Sequence, residues 1–160
     1  TFIEPTQNIR SLGVKLKLSP TKTIVENKSI ILIDDSLVRG TTCHKIVKML
    51  YESGAKEVHV RIACPEIKFP DFYGVDMPTK EELLAHNKNN IEMCEHIKAK
   101  SLKFLSLKGL YKALIGAERN SNYPQFSDHY FTGDYPIKPH DNLQGLKVKQ
   151  LSLLSGKSNS

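Results

Sequence analysis

The stretch Ile30-Ile31-Leu32-Ile33-Asp34-Asp35-Ser36-Leu37-Val38-Arg39-Gly40-Thr41-Thr42 decides the fold. Its four consecutive branched apolar residues predict a strand over residues 29–34, covered on both faces as in a parallel α/β sheet. Ligands of such sheets bind just beyond the carboxyl ends of the strands. Asp34 and Asp35 stand at that end, so the sequence predicts a ligand site there.

A helix follows this strand directly. Apolar residues recur at i, i+3, i+4 and i+7 from Cys43, which predicts a helix over residues 41–53 that Gly54 stops. The first turn of a helix carries unpaired N–H groups at the positive end of the dipole. We expect these amides, the hydroxyls of Thr41 and Thr42, and Arg39 to hold a phosphate, and we expect Gly40 to let the backbone approach it.

The two carboxylates do not suit a phosphate. Asp34 and Asp35 suit the vicinal hydroxyls of a ribose, which donate hydrogen bonds, and a Mg²⁺ ion bound partly through water. A ribose 5'-phosphate satisfies both ends of the motif. The alternatives are an ordinary helix-capping turn, since Asp and Ser are common before helices, a dinucleotide site, which lacks its G-x-G-x-x-G, and a phosphoacceptor receiver domain, which needs no Arg-Gly-Thr-Thr turn.

Length and composition indicate one globular domain with a core of ordinary size. The chain has 160 residues, 39% of them hydrophobic, and a formal net charge of +6. Its Lys and Arg residues are spread out rather than clustered with aromatics, which favours a solvated basic surface and no nucleic-acid partner. No apolar run is long enough for a membrane span, and three separated cysteines suit a reducing cytoplasm.

The remaining pattern predicts alternating strands and helices, with a domain over residues 1–140 and a loosely attached tail over 141–160. We expect a second strand over residues 58–64, a short helix opened by a capping box at Thr79, a helix over 90–98, a short strand over 102–105, and a last helix capped by Ser106 and ended by Gly116. Residues 118–140 lack periodicity and predict an ordered loop, with His129 and His140 on the surface.

Several blocks of the chain, taken with IDDSLVRGTT, resemble the type I phosphoribosyltransferases, in the version found in the amidophosphoribosyltransferase family. They are TFIEPTQ with Arg10, GVKLKL at residues 13–18, residues 63–86, and FTGDYP at 131–136. These blocks follow the order of the C-terminal part of that family's enzymes. The resemblance implies an incomplete type I phosphoribosyltransferase fold, a parallel sheet flanked by helices.

The resemblance also implies a reaction, the first committed step of purine biosynthesis. Ammonia derived from glutamine displaces pyrophosphate from phosphoribosyl pyrophosphate, with Mg²⁺, and purine nucleotides inhibit. The phosphate loop is defined as residues 36–42. The implied binding residues are six residues of this loop and three others, namely Lys17, Asp34, Asp35, Ser36, Val38, Arg39, Gly40, Thr41 and Thr42, with Asp34 and Asp35 on the metal. No catalytic side chain is assigned, and the full-length protein is expected to be a cytoplasmic homo-oligomer.

Parts of the family pattern are missing from this sequence. It contains no glutaminase half with its N-terminal Cys and no pyrophosphate-binding turn, which predicts a fragment or the product of a split gene, inactive alone. The late loop, residues 123–130, has no Cys pair, so we expect no iron–sulfur cluster. The alternative function is a non-catalytic nucleotide-binding module that keeps the phosphate loop.

Overall fold

The computed structural model describes residues 20–137. The GVKLKL block at residues 13–18, which includes Lys17, lies outside this range, as do His140 and the predicted tail. Within it, a three-stranded parallel sheet has the order β1-β2-β3. Its strands are β1 (Ser29–Asp34), β2 (Glu57–Ile62) and β3 (Ser101–Phe104). The predicted parallel sheet with flanking helices is confirmed.

In the described part of the chain, six α-helices and a 3-10 turn precede, connect and follow the strands. The helices are α1 (Lys22–Val25), α2 (Thr41–Glu52), α3 (Leu84–Asn87), α4 (Asn90–Ile97), α5 (Leu107–Ile115) and α6 (His129–Thr132), and the 3-10 turn is Lys80–Glu82. The predicted capping box forms at this turn, where the Glu82 side chain accepts a hydrogen bond from the Thr79 N–H. The short helix predicted there is divided, because the turn ends at Leu83 and α3 begins afresh at Leu84.

The strands are in direct register, with Asp34 opposite Ile62 and Ile62 opposite Phe104. The three carboxyl ends therefore meet at one edge of the sheet. Helices α2 and α4 pack against each other and against one sheet face. The core that they form includes Cys43, Val47, Leu50, Val58, Val60, Ile62, Met93, Ile97 and Leu102.

The other face of β1 is open, contrary to the expectation that this strand is covered on both faces. Ile31 and Ile33 are 64% and 73% exposed. The physical reason is position, since β1 is an edge strand of the described sheet, and α2 and α4 pack on the side of Ile30 and Leu32. The four branched apolar residues predicted the strand correctly, but the prediction that both of its faces are covered is wrong.

We call residues 118–137, the described part of the predicted loop, the late segment. It is not a simple surface loop. It contains α6, and His129 is only 2% exposed, so the prediction of a surface histidine is wrong. Helix α5 has its predicted ends, with the Ser106 hydroxyl accepting from the Gly109 N–H and Gly116 in the left-handed conformation. Of the residues of this helix only Tyr111 is buried, and Leu114 lies largely in solvent.

No helix among residues 20–137 is long and apolar enough to cross a membrane. Cys43, Cys64 and Cys94 are all free thiols.

Candidate functional site: the loop between β1 and α2

The site begins where β1 ends. Asp34 is the last residue of β1, and its carbonyl accepts a hydrogen bond from the Ala63 N–H at 2.8 Å, which extends the pairing of β1 with β2. Asp35 starts the loop and α2 begins at Thr41. Strand, acidic pair, phosphate loop and helix therefore follow one another as the sequence predicts.

Each of the two carboxylates accepts a hydrogen bond from the residue that follows it. Asp34 Oδ1 accepts from the Asp35 N–H at 3.0 Å, and Asp35 Oδ1 accepts from the Ser36 hydroxyl at 2.7 Å. Burial raises the pKa of Asp34, the Asp35 N–H lowers it, and the neighbouring Asp35 charge raises it, with a net upward shift. A positive ion or a hydrogen-bond donor at this point would relieve the repulsion.

The negative charges of Asp34 and Asp35 also affect two nearby thiols, those of Cys43 and Cys64. Burial, together with the Asp34 charge, raises the pKa of Cys43 to about 12. Burial raises the pKa of Cys64 to about 11, with the Asp35 charge as the next cause. Both thiols stay protonated at neutral pH, so neither suits the role of a nucleophile.

Mg²⁺ is the cofactor that the acidic pair suits. The described residues contain no group of three or more His, Cys, Asp or Glu side chains placed to hold a metal ion. Asp34 and Asp35 would therefore supply at most two ligands. Mg²⁺ commonly binds through one or two carboxylates and takes its other ligands from water and substrate phosphates, so the residues present fit that ion.

The amino end of α2 faces the loop without a side-chain cap. Its N-cap is Gly40, and no side chain caps the first turn. Thr41 and Thr42 are exposed at this end. The expected arrangement for an anion, free helix amides beside two hydroxyls, is therefore present.

Gly40 has a packing role in addition to the expected one, close approach of the backbone to a ligand. Its φ is +78°, and a Cβ there would lie 2.8 Å from Leu84 Cδ2 and 3.2 Å from His96 Cδ2. Protein atoms, rather than space for a ligand, occupy the side on which a Cβ would lie. The glycine therefore lets α3 and α4 pack against the start of α2.

Two further residues of the loop contact the 3-10 turn and the start of α3. The Val38 carbonyl accepts from the Leu84 N–H at 2.9 Å. Arg39 donates from Nε and Nη2 to the two oxygens of Glu82, at 3.2 and 3.4 Å. The contact of Glu82 with Arg39 was missed in the sequence analysis, because 43 residues separate the two. The capping box had already given Glu82 a local role.

Two other features of the described chain were also missed. One is a cleft of about 440 Å³ beyond the carboxyl ends of β2 and β3, lined among others by Pro65, Phe104 and Phe131. The other is a polar cluster in which Asp71 contacts His129 and Tyr130. Each joins segments far apart in the chain, which no local pattern identifies.

A parallel α/β sheet with an acidic pair and a phosphate loop after its edge strand defines a fold of the phosphoribosyltransferase type. No protein-family profile matches the chain. Two solved structures match it at a TM-score of 0.70 and 0.69, with 46% and 47% identity over 84% and 85% of the chain. They are glutamine phosphoribosylpyrophosphate amidotransferase from Bacillus subtilis complexed with ADP and GMP, and an allosteric regulatory enzyme of purine biosynthesis.

Curated relatives agree with these structures. The chain is 53% identical over 97% of its length to the amidophosphoribosyltransferase of Rhizobium etli, and 51% identical over 88% to that of Staphylococcus aureus. It spans only 32% and 28% of those proteins. Over nearly all of its length the chain is thus similar to part of an amidophosphoribosyltransferase, and the resemblance predicted from its motifs is confirmed.

Proposed function

We propose that this chain is the part of an amidophosphoribosyltransferase that binds the ribose 5-phosphate end of phosphoribosyl pyrophosphate. The observation that carries the proposal is the acidic pair at the carboxyl end of β1, followed directly by an uncapped helix terminus. A ribose 5-phosphate has hydroxyl donors at one end and an anion at the other. Its two ends match the two chemistries of the loop.

The anion binds at the amino end of α2. The phosphate accepts hydrogen bonds from the amides of Gly40, Thr41 and Thr42 and from the two threonine hydroxyls, with Ser36, Val38 and Arg39 completing the loop. Charge-assisted hydrogen bonds of this kind contribute roughly 1.5–3 kcal/mol each. Anchoring the phosphate fixes the sugar relative to the sheet edge.

The carboxylates act at the sugar. Asp34 and Asp35 accept hydrogen bonds from the ribose hydroxyls and stabilise the positive charge that develops at the anomeric carbon as its bond to pyrophosphate breaks. Mg²⁺ would be held through the same carboxylates and would neutralise charge on the leaving pyrophosphate. Ammonia forms the new C–N bond and loses a proton to solvent. This chain contributes positioning and charge, with no covalent intermediate.

Other parts of the reaction belong to the rest of the enzyme. The chain spans about a third of its relatives, so the glutaminase half, supply of ammonia, binding of pyrophosphate and assembly into a homo-oligomer are proposals for the complete polypeptide. Lys17, outside the described residues, would face the same site or a regulatory nucleotide. Purine nucleotides carry the same ribose 5-phosphate, and the B. subtilis relative is described as complexed with ADP and GMP; we propose that they compete for this loop.

Replacement of both carboxylates tests the proposal. In the complete gene product, Asp34→Asn with Asp35→Asn should lower kcat/KM for Mg²⁺-phosphoribosyl pyrophosphate at least about a hundredfold. The variant loses two charged hydrogen-bond acceptors, and each factor of ten corresponds to roughly 1.4 kcal/mol. The matched control is Asp76→Asn with Glu95→Gln, which also removes two carboxylates, both exposed. Equal kinetics in the two double variants would refute the assignment.

The non-catalytic alternative predicts a different result. A nucleotide-binding module would bind GMP or ribose 5-phosphate through residues 36–42, yet form no phosphoribosylamine from ammonia even in the complete gene product. Calorimetric titration together with a pyrophosphate-release assay separates the two functions.

A further inference from the structure

The phosphate loop is supported by one short segment, residues 79–84, which we term the brace. Leu84 of the brace donates its N–H to the Val38 carbonyl at 2.9 Å. The Leu84 side chain fills the space beside Gly40. Glu82 of the brace binds Arg39. Three consecutive loop residues are thus contacted by a segment more than 40 positions away.

Glu82 connects the two segments through a single carboxylate. Oε1 accepts from Arg39 Nε at 3.2 Å, and Oε2 accepts both from Arg39 Nη2 at 3.4 Å and from the Thr79 N–H at 3.2 Å. The Glu82 N–H donates in turn to the Thr79 carbonyl at 2.9 Å. The same carboxylate therefore takes part in the capping box and in the contact with Arg39.

The two-point contact fixes the guanidinium plane, which a single contact would leave free to rotate. The side chains of Arg39 and Glu82 are 36% and 49% exposed, and ion pairs at such positions add little to global stability. The pair should therefore affect the local order of the loop far more than it affects unfolding.

We propose that Glu82 is a positioning residue for ribose 5-phosphate binding: it acts through Arg39 and holds residues 38–42 in the conformation that presents their amides to the phosphate. This inference rests on the proposed function for its ligand. A loop that is ordered before binding loses less conformational entropy when the ligand arrives. Loss of Glu82 should consequently weaken binding although Glu82 does not touch the ligand.

The test uses the complete gene product with Glu82→Ala and Glu82→Gln. The matched control is Glu81→Ala, a glutamate in the same 3-10 turn that makes no contact with Arg39. Amide hydrogen exchange without ligand should rise at residues 38–42 in Glu82→Ala and remain unchanged in Glu81→Ala. Calorimetric titration with ribose 5-phosphate should give affinity weakened roughly tenfold in Glu82→Ala and less in Glu82→Gln, with a thermal midpoint within about 2 °C of the wild type.

A double variant shows whether Glu82 acts through Arg39. Arg39→Ala with Glu82→Ala should bind ribose 5-phosphate within about twofold of Arg39→Ala alone, because the two effects are one interaction. Additive losses would overturn the proposal.

The opposite result in the single variant would also overturn it. If Glu82→Ala binds ribose 5-phosphate more tightly than the wild type, then Glu82 competes with the phosphate for Arg39. Unchanged amide hydrogen exchange at residues 38–42 in Glu82→Ala would refute the proposal that Glu82 orders the loop, whatever the binding measurement gives. Failure of the wild type to bind ribose 5-phosphate refutes the proposed function instead, and the exchange measurement still decides whether Glu82 orders the loop.

Discussion

The carboxylate of Asp71 and the imidazole of His129 contact each other across 58 positions of sequence, with Oδ1 and Nε2 2.9 Å apart. Neither side chain is more than 2% exposed. Asp71 also accepts from the Tyr130 hydroxyl and from the N–H groups of Tyr73 and Val75. This contact fastens α6 to the loop that follows β2, and with it the late segment to the sheet.

Acid should therefore loosen the late segment. Burial alone would raise the pKa of Asp71, but the hydrogen bonds from Val75, His129, Tyr73 and Tyr130 outweigh it and lower this pKa to about 2. A carboxyl with a lowered folded pKa contributes stability that is present above its ordinary pKa near 3.8 and is lost as pH falls through about 2. We expect a loss of about 1–2 kcal/mol between pH 4 and pH 2, measured by urea unfolding at each pH.

Asp71→Asn should remove this part of the pH dependence. The asparagine amide would face the His129 and Tyr130 donors, so we also expect a loss of about 2 kcal/mol or more at pH 7. Asp76→Asn, in the same loop and exposed, should change the free energy of unfolding by less than about 0.5 kcal/mol. An unaltered acid transition in Asp71→Asn would contradict the assignment.

The ion pair between Arg119 and Asp128 predicts a larger effect. The Arg119 guanidinium binds both oxygens of Asp128, at 2.6 and 3.1 Å, and also Asp134. Burial would raise the pKa of Asp128, whereas Arg119 and then Tyr111 lower it by hydrogen bonding, with a net downward shift. Arg119→Met would leave the Asp128 carboxylate buried without its cation, at a cost of about 3–5 kcal/mol at pH 7.

The control for this variant is Lys108→Met. Lys108 pairs with Glu118 at the surface, with 71% of each side chain exposed, so its loss should lower the free energy of unfolding far less than the loss of Arg119. Arg119→Met should also raise the pKa of Asp128, so its stability deficit should shrink below pH 4. Equal deficits for the two variants in urea unfolding would show that burial of the Arg119 pair is unimportant.

Local patterns predicted the elements around the site well. Strand β1, helix α2 and their junction follow from residues within one short stretch, where apolar periodicity and the acidic pair act on adjacent backbone. The cap of α5 by Ser106 and its end at Gly116 are local in the same way. Such features depend on residues within a few positions of one another, which are close in space whatever the tertiary fold.

Contacts between distant segments could not be predicted in this way. His129 was predicted to lie on the surface because its segment lacks periodicity. Its burial depends on Asp71 and Tyr73, which the fold brings close to it. Glu82 served as a capping residue in the local pattern, and its second partner, Arg39, lies on another element. Ile31 and Ile33 have the sequence of a buried strand, while their exposure depends on what packs beside β1.

Gly40 gives a prediction about the start of α2. Gly40→Ala places a Cβ 2.8 Å from Leu84 Cδ2 in a backbone of φ +78°, so we expect a loss of about 2–4 kcal/mol from strain and overpacking together. Gly116→Ala is the matched control, since its φ is +67° and no atom lies within 4 Å of the added Cβ. It should cost only about 1–2 kcal/mol, the strain alone. Equal losses in thermal unfolding would mean that Leu84 moves freely.

The two faces of the sheet should respond differently to the same kind of change. Ile31→Thr and Ile33→Thr, on the open face of β1, keep β-branching and lose little buried surface, so each should alter the free energy of unfolding of the 160-residue chain by less than about 0.5 kcal/mol. Val60→Ala, on the covered face, removes fully buried methyl groups and should cost about 2 kcal/mol. Urea unfolding of the three variants gives the comparison. A cost near 2 kcal/mol for Ile33→Thr would mean that this face is covered in solution. The same variants in the complete gene product would then identify what covers it. An unchanged cost would assign the covering to this chain, and a larger cost would assign it to the rest of the polypeptide.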